Sequence, residues 1–208
     1  MKFSFIKLAL WIFICVTIFS CTKEQSVDSS AGGNGGSTGA GAIAGTWNFA
    51  GLSANTKSDV SETDSTDIIR AVTTADYSTT NNKGTVTFGT NTFTGTGIGY
   101  DLSTTAFVKF YTNGVLEDSL QMPFSFTLPP ATSSGTYKLV GKDSLYFTGG
   151  FISIGLDSME TKPIGYKYVI AGNKLTLTSK FTNSFQEVDN GVMATIKQSA
   201  DITVVLQK

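Results

Sequence analysis

The chain has 208 residues, with 15 basic and 16 acidic side chains, two cysteines and no histidine. Without histidine, Ser-His-Asp and Cys-His catalysis are excluded, and so are zinc sites built on histidine. Arg70 is the only arginine and basic residues do not cluster, which excludes the electrostatic footprint of a nucleic-acid-binding protein.

The first 20 residues have the layout of a bacterial signal peptide. Lys2 and Lys7 form a short positive region, and an uncharged run follows over residues 8–19. That run is shorter than the about 20 apolar residues of a spanning helix, so a membrane-spanning anchor is the alternative interpretation. Ile18-Phe19-Ser20-Cys21 resembles the bacterial lipobox, which implies that Cys21 begins the mature protein and carries the lipid.

The cysteine count agrees with a lipidated Cys21. Cys15 lies in the segment to be removed, so the mature chain keeps one thiol and cannot form an intramolecular disulfide. Each buried CH₂ of an acyl chain contributes about 0.8 kcal/mol, and two or more chains hold a protein stably on a membrane. Ordinary secretion, with Cys21 incidental, is the alternative.

Residues 21–42 predict the lipidated cysteine followed by a flexible tether. Residues 31–42 are almost entirely Gly, Ser, Ala, Asn and Thr, a composition that keeps a chain flexible. About 20 such residues reach roughly 25 Å, so the domain should stand off the membrane. Thr22-Lys23-Glu24 is similar in part to the acidic, Lys-containing signals that send lipoproteins of the Bacteroidota to the cell surface.

Residues 43–208 predict a single all-β domain. Apolar and polar residues alternate over several stretches, as in strands of an antiparallel sheet with one wet face. Asn113-Gly114 strongly predicts a hairpin, and Gly172-Asn173 predicts a further turn. We expect about eight to ten strands in an antiparallel up-and-down β-barrel, with a β-sandwich as the alternative.

The sequence also predicts several local features within this domain. Turns are expected at Asn82-Lys83-Gly84 and Pro129-Pro130, and residues 66–75 are compatible with one short helix. The glycine-rich residues 94–99 suit a sharply bent barrel strand. One alternating strand should place six apolar side chains on the same face: Leu116, Leu120, Met122, Phe124, Phe126 and Leu128.

The start of this domain resembles a known family. Gly45-Thr46-Trp47 is similar to the Gly-x-Trp opening of lipocalins, and residues 172–177 and 201–208 resemble the closing hairpins of lipocalin-like lipoproteins of the Bacteroidota. The resemblance implies that Trp47 closes the base of the barrel. The late Thr-Asp-Tyr turn of lipocalins is matched only imperfectly, over residues 74–77. Their arginine over the tryptophan is missing, which leaves Lys197 or Lys208 as the candidate cation.

The chemistry-bearing residues indicate a protein that is not an enzyme and uses no cofactor or metal. Four carboxylates fall in a predicted Ser/Thr-rich loop and could ligate Ca²⁺, although their spacing matches no EF-hand and a solvated insertion is favoured. They are Asp59, Glu62, Asp64 and Asp67. A glycosidase pair of Glu117 with Glu160 is the remaining enzymatic alternative.

Two functions are compatible with an outer-membrane, lipid-anchored barrel on the periplasmic face or the cell surface. The first is binding of a small apolar or amphipathic ligand inside the barrel. Its candidate residues are Trp47, Phe49, Phe107, Phe124, Phe126, Tyr166 and Tyr168; a solid core would use the same residues. The second is a protein- or glycan-interaction accessory module of an outer-membrane uptake or adhesion system. Four serines in Asp-Ser-containing motifs resemble the O-glycosylation acceptors of exported Bacteroidota proteins: Ser65, Ser119, Ser144 and Ser158.

Overall fold

The structure is a computed structural model that describes residues 40–64, 66–149, 151, 163–189 and 192–208. The expected signal peptide, Cys21 and most of the tether lie outside the described residues, as do Ser65, Ser158 and Glu160. A one-turn helix and eight strands follow in chain order: α1 (Ala40–Ile43), β1 (Gly45–Asp64), β2 (Asp67–Phe88), β3 (Thr92–Thr112), β4 (Val115–Val140), β5 (Ser144–Phe147), β6 (Ile164–Ala171), β7 (Lys174–Asp189) and β8 (Val192–Gln207). Within these ranges no helix is long and apolar enough to cross a membrane.

The eight strands form one closed, up-and-down antiparallel barrel. Each strand pairs with the next along the chain, and β8 pairs with β1 to close the ring. The prediction of an up-and-down barrel is therefore confirmed, and the sandwich alternative is not what forms. Closure gives the first and last strands a partner on each side, which removes the edges that an open sheet exposes.

Strand length divides the barrel into two parts. Six strands have 16 to 26 residues, but β5 has four and β6 has eight. We call the part where β5 and β6 complete the ring the base. The hairpins β1–β2, β3–β4 and β7–β8 continue beyond it, and we call their described residues within 53–80, 101–127 and 179–203 the extension. With 20 residues at roughly 3.3 Å each, β1 is about 66 Å long when extended.

The base contains the main hydrophobic core. Alternate residues of every strand point inward there, and Trp47, Phe147, Leu175 and Leu206 are no more than 1% exposed. The Phe147 ring meets the Phe93 and Tyr166 rings edge-on, with centroids 5.2 and 5.7 Å apart. Each such side chain contributes about 1.5–3 kcal/mol through burial, so the base carries most of the hydrophobic stabilisation.

Two of the predicted turns and the predicted bend are confirmed. Asn113 and Gly114 both have positive φ, 52° and 83°, as a two-residue hairpin of the primed type requires. Gly172, with φ of 60°, lies in the turn between β6 and β7. The expected bend also occurs, because the pairing of β3 with β4 shifts register between Gly95 and Ile98.

The turn expected at Asn82-Lys83-Gly84 is wrong. These residues lie inside β2, where its pairing with β3 shifts register on both sides of Lys83. A Cβ atom added to Gly84 would lie 2.4 Å from the carbonyl oxygen of Gly97, and Gly84 has a φ of 93°. Glycine is needed here because β3 crosses close to β2, not because the chain reverses.

Three other local expectations are also wrong. Pro129-Pro130 lies within β4, and residues 67–75 form part of β2 because they pair with both β1 and β3. The pairing of β4 shifts where Phe110 faces Asp118 but Tyr111 faces Leu116. The extra residue puts Leu116 on the outer face, 53% exposed, instead of on the face of Leu120.

Candidate functional site

Trp47 lies at the base of the barrel in a fully enclosed setting. It is 1% exposed, and its indole Nε1 donates a hydrogen bond to the carbonyl oxygen of Ile43, 2.8 Å away. The ammonium of Lys208 lies 4.4 Å from the Trp47 ring centroid, within cation–π range. Of the two lysines expected to cover this ring, Lys208 does so, while Lys197 lies opposite Asp59.

Most of the aromatic residues expected to line a ligand cavity belong to the core of the base. Trp47, Phe49, Tyr166 and Tyr168 are all at most 6% exposed, and Phe126, from the adjoining end of the extension, packs against this core partly buried. The ring centroids of Phe49 and Tyr100 are 6.1 Å apart, and those of Tyr100 and Phe126 are 6.5 Å apart. Burial raises the pKa of the Tyr166 phenol well above its ordinary value. The Tyr100 ring therefore contacts the rings of both Phe49 and Phe126, as in a packed core.

The other two candidates lie in the extension and are exposed. Phe107 is 49% exposed because it alternates with the buried Val108 and therefore points outward, which corrects its expected place in the interior. Phe124 keeps the inward parity but is 41% exposed, opposite Thr104. The seven candidates are therefore not brought together around one cavity.

The acidic residues expected in a solvated loop lie mainly on strands. Asp59, Glu62 and Asp64 belong to β1, and Asp67 begins β2. Arg70 donates two hydrogen bonds to Asp59, from Nε at 2.7 Å and from an Nη at 2.5 Å, which hold the pKa of that carboxyl below its ordinary value. In the ranges that the structure describes, no three acidic, His or Cys side chains are grouped to hold a metal ion.

Two of the serines expected to be modified can be placed. Ser119 is exposed on β4, and its backbone N–H donates to the Asp118 carboxylate at 2.7 Å. Ser144 is half-buried at the start of β5, and its hydroxyl donates to the Asp143 carboxylate at 3.1 Å. Glu117, expected in the alternative catalytic pair, is exposed near the β3–β4 turn.

A polar groove that was not predicted from the sequence lies on the outer face of the extension. We call it the outer groove. Its volume is about 480 Å³ and it is open to solvent. Its polar lining comes from β8, β1 and β2: Asp201, Thr203, Ser53, Asn55, Asp76 and Ser78. Register brings them together, since Asn55 lies directly opposite both Asp201 and Asp76. Asn55 Nδ2 also donates a hydrogen bond to Asp76 Oδ1.

A second groove of about 260 Å³ lies beside it, over β2, β3 and β4. Asp101 is its central polar residue and accepts hydrogen bonds from Asn81 Nδ2 at 2.6 Å and Thr127 Oγ1 at 2.8 Å. These bonds lower the pKa of the Asp101 carboxyl. Thr80, Ser103 and Ser125 complete the polar lining.

The tips of the hairpins carry exposed apolar side chains. Ile68, Val115, Leu116, Val188 and Met193 are all more than half exposed. Two of the tips are joined, because Asn113 exchanges backbone and side-chain hydrogen bonds with Ile68 at 2.9 Å. These exposed side chains lie at the end of the molecule opposite the base.

Comparison with protein-family models, curated proteins and solved structures finds no match to this chain. Its fold and its surfaces therefore have to be interpreted from its own residues.

Proposed function

We propose that the protein is an outer-membrane lipoprotein, anchored through Cys21, whose non-catalytic barrel presents an interaction surface away from the membrane. The observation that carries this proposal is the polarity of the molecule. The first strand begins at Gly45 and the last ends at Gln207, both in the base, while the hairpin tips lie at the other end. A tether that enters at the base would direct the extension away from the lipid.

The filling of the base supports binding on the outside of the barrel over binding inside it. The aromatic rings inside the base pack against each other, with centroids 4.2 Å apart for Phe147 and Phe151 and 5.7 Å apart for Phe147 and the candidate Tyr166. An eight-stranded barrel is narrow enough for its own side chains to fill. A small apolar ligand in the interior has correspondingly less support than a protein or a glycan on the extension.

The placement of the carboxylates supports a non-enzymatic function. Asp59 is held in an ion pair with Arg70, and both oxygens of Asp101 accept hydrogen bonds within the sheet. A general acid or base needs a free proton-transfer position and a pKa near the working pH. Both carboxyls instead have lowered pKa values, which suits a structural role.

The anchor is tested by the substitution Cys21→Ser in the full-length chain. We expect the protein to move from the membrane fraction to the soluble fraction, because the thiol that receives the lipid is gone. Cys15→Ser is the matched control, since it removes the other thiol, in the segment that should be cleaved, and should leave the protein on the membrane. Persistent membrane association of the Cys21→Ser protein would contradict the proposal.

The direction of presentation is tested with photo-crosslinking amino acids in intact cells. One is placed at Leu116, 53% exposed at a hairpin tip, and the other at Val140, 49% exposed in the base. We expect crosslinks to a neighbouring molecule outside the membrane from position 116, and lipid or membrane-protein crosslinks from position 140. The reverse pattern would show that the extension faces the membrane.

A further inference from the structure

We propose that the outer groove binds a neutral oligosaccharide lying across the strands of the extension. The inference rests on the proposed function as an interaction module and names the chemical class of its ligand. The outer groove, about 480 Å³ in volume, is open to solvent and lined by polar side chains, so it suits a polar ligand that stays partly exposed. The second groove continues it along the same outer face.

The two grooves together favour an extended ligand over a single sugar. Ser53 lies opposite both Thr203 and Ser78, and Ser103 lies opposite Ser125 on the far side. This row crosses five strands, from β8 to β4. With neighbouring strands about 4.8 Å apart, it spans about 19 Å along the curved outer surface of the barrel. A chain of several sugar rings that follows this curvature could contact all of it.

The donors and acceptors in the outer groove match those of a polyhydroxylated ligand. Among the described residues, the hydroxyls of Ser53, Ser78 and Thr203 make no side-chain hydrogen bond, so each is free to donate and to accept. Asn55 donates to one oxygen of Asp76, which leaves its own carbonyl oxygen and the other Asp76 oxygen as acceptors. Sugar hydroxyls also both donate and accept, so they can pair with all of these groups.

Phe107 lies beside the outer groove, outside its lining, and offers an apolar ring next to it. It lies opposite Thr74, two residues along β2 from Asp76, so it is the diagonal neighbour of the groove's carboxylate at about 7–8 Å. It is 49% exposed on the same outer face. An exposed flat ring beside hydroxyl and carboxylate groups fits a sugar ring, which has an apolar C–H face and polar edges.

The same residues disfavour other ligands. Asp76 and Asp201 make the groove negative, with Lys180 3.4 Å from Asp201 at its rim, which disfavours phosphates and acidic polysaccharides. Within the described ranges no three acidic side chains gather to hold a cation. An extended peptide added as a further strand would need a free strand edge, whereas β1 is paired on both sides here.

The test uses the full-length protein purified from whole-cell lysate in detergent, which keeps it in solution whether or not it carries a lipid, so the result does not depend on the anchor. A panel of neutral hexasaccharides of different linkage is compared with hexasaccharides containing uronic acids, and affinities are measured by isothermal titration calorimetry. We expect at least one neutral hexasaccharide to bind, and the acidic ones to bind at least about tenfold more weakly. Binding of acidic hexasaccharides alone, or of none, overturns the proposal.

Variants locate the binding. The double variant Asn55→Ala/Asp76→Ala should weaken binding at least about tenfold, because it removes a charge-assisted acceptor and its partner. Phe107→Ala should weaken it about threefold to tenfold. Thr94→Ala, which removes an exposed hydroxyl in the base, is the matched control and should bind as the unaltered protein does. Unchanged affinity of the double variant overturns the proposal.

Folding of each variant is checked by thermal unfolding. Should the double variant not fold, Ser53→Ala/Ser78→Ala replaces it, because that pair leaves the Asn55–Asp76 hydrogen bond in place. Release of the Cys21→Ser protein without any hexasaccharide binding would overturn the groove assignment alone. Membrane retention of Cys21→Ser together with hexasaccharide binding would overturn the anchor alone.

Discussion

The base and the extension are built from the same strands but have different interiors. In the base, inward side chains are aromatic or aliphatic and contact one another, as Phe147 does with four other rings within 6 Å. In the extension, the inward positions include half-buried polar residues, namely Thr56, Ser58, Thr73, Asn183 and Gln198. Gln198 Oε1 is buried without a hydrogen-bond partner among the described atoms.

The residues that stabilise this fold and the surfaces proposed to bind a ligand therefore lie largely in different parts of the barrel. Buried apolar area stabilises the base and the adjoining end of the extension, while the described residues further along the extension form two small clusters, around Val108 and around Ile196. Regions with few buried apolar contacts open at lower free energy than a packed core. The extension can therefore carry polar grooves and exposed aromatic rings without weakening the part that holds the barrel closed.

The largest contrast should come from removing one ring in each part. Phe147→Ala in the base should lower the free energy of unfolding by about 3–5 kcal/mol, because the ring is fully buried. Phe107→Ala in the extension, where the ring is 49% exposed, should cost less than about 1 kcal/mol. Urea unfolding followed by circular dichroism measures both. Equal losses would show that the extension shares the core of the base.

Gly84 and Gly114 have similar φ angles, and they test whether close strand packing or turn geometry contributes more to the free energy of unfolding. Gly84→Ala should cost about 2–3 kcal/mol, because its Cβ would meet the backbone of Gly97 at 2.4 Å. Gly114→Ala, at the tip of the extension, meets nothing within 4 Å and should cost about 1–2 kcal/mol for its positive φ alone. Thermal unfolding gives the order. A larger loss at position 114 would contradict the close approach of β2 and β3.

The cation over Trp47 should make a smaller contribution to the base. Lys208→Ala should lower the free energy of unfolding by about 1 kcal/mol, while Lys208→Arg should keep most of it, since either cation can lie over the ring. Intrinsic fluorescence reports on the same site, because Trp47 is the only tryptophan after residue 20. Equal effects of the two substitutions would show that charge over the ring is unimportant.

The smallest expected effect concerns the ion pair of the extension and depends on pH. Arg70 lowers the pKa of Asp59, so the folded state binds the Asp59 proton less tightly than the unfolded chain does. The pair therefore stabilises the fold above the ordinary carboxyl pKa, and this contribution disappears as pH falls through the lowered value. Asp59→Asn should cost about 1 kcal/mol at pH 7 and progressively less as pH falls below the ordinary carboxyl pKa, measured by urea unfolding over that pH range.

The matched control for that measurement is Asp201→Asn. Its lysine partner lies 3.4 Å away, and both side chains are mostly exposed. We expect a smaller change than for Asp59→Asn at pH 7, since solvent screens an exposed pair. A cost that persists for Asp59→Asn at low pH would show that the substitution acts through packing instead of charge.

The fold class and several local features could be predicted from the sequence alone. Alternation with a period of two is a local signal, so it identified strands that bury one face. The Asn113-Gly114 turn and the bend near Gly97 were predictable because each depends on the backbone freedom of its own residues. The lipidation of Cys21 is likewise a prediction of the local sequence, and it awaits the substitution described above.

Which side chains lie next to each other, and on which face of the sheet, could be seen only in the tertiary structure. Residues 106–108 are apolar in succession, so alternation did not show that Phe107 points outward until Val108 was seen to be buried. One extra residue in β4 moved Leu116 to the opposite face. The outer groove needs Asp201, Asn55 and Asp76 side by side, and that depends on the register of three strands distant in sequence. Register depends on turns, pairing and bulges along whole strands, and a shift of one residue moves every side chain beyond it to the other face.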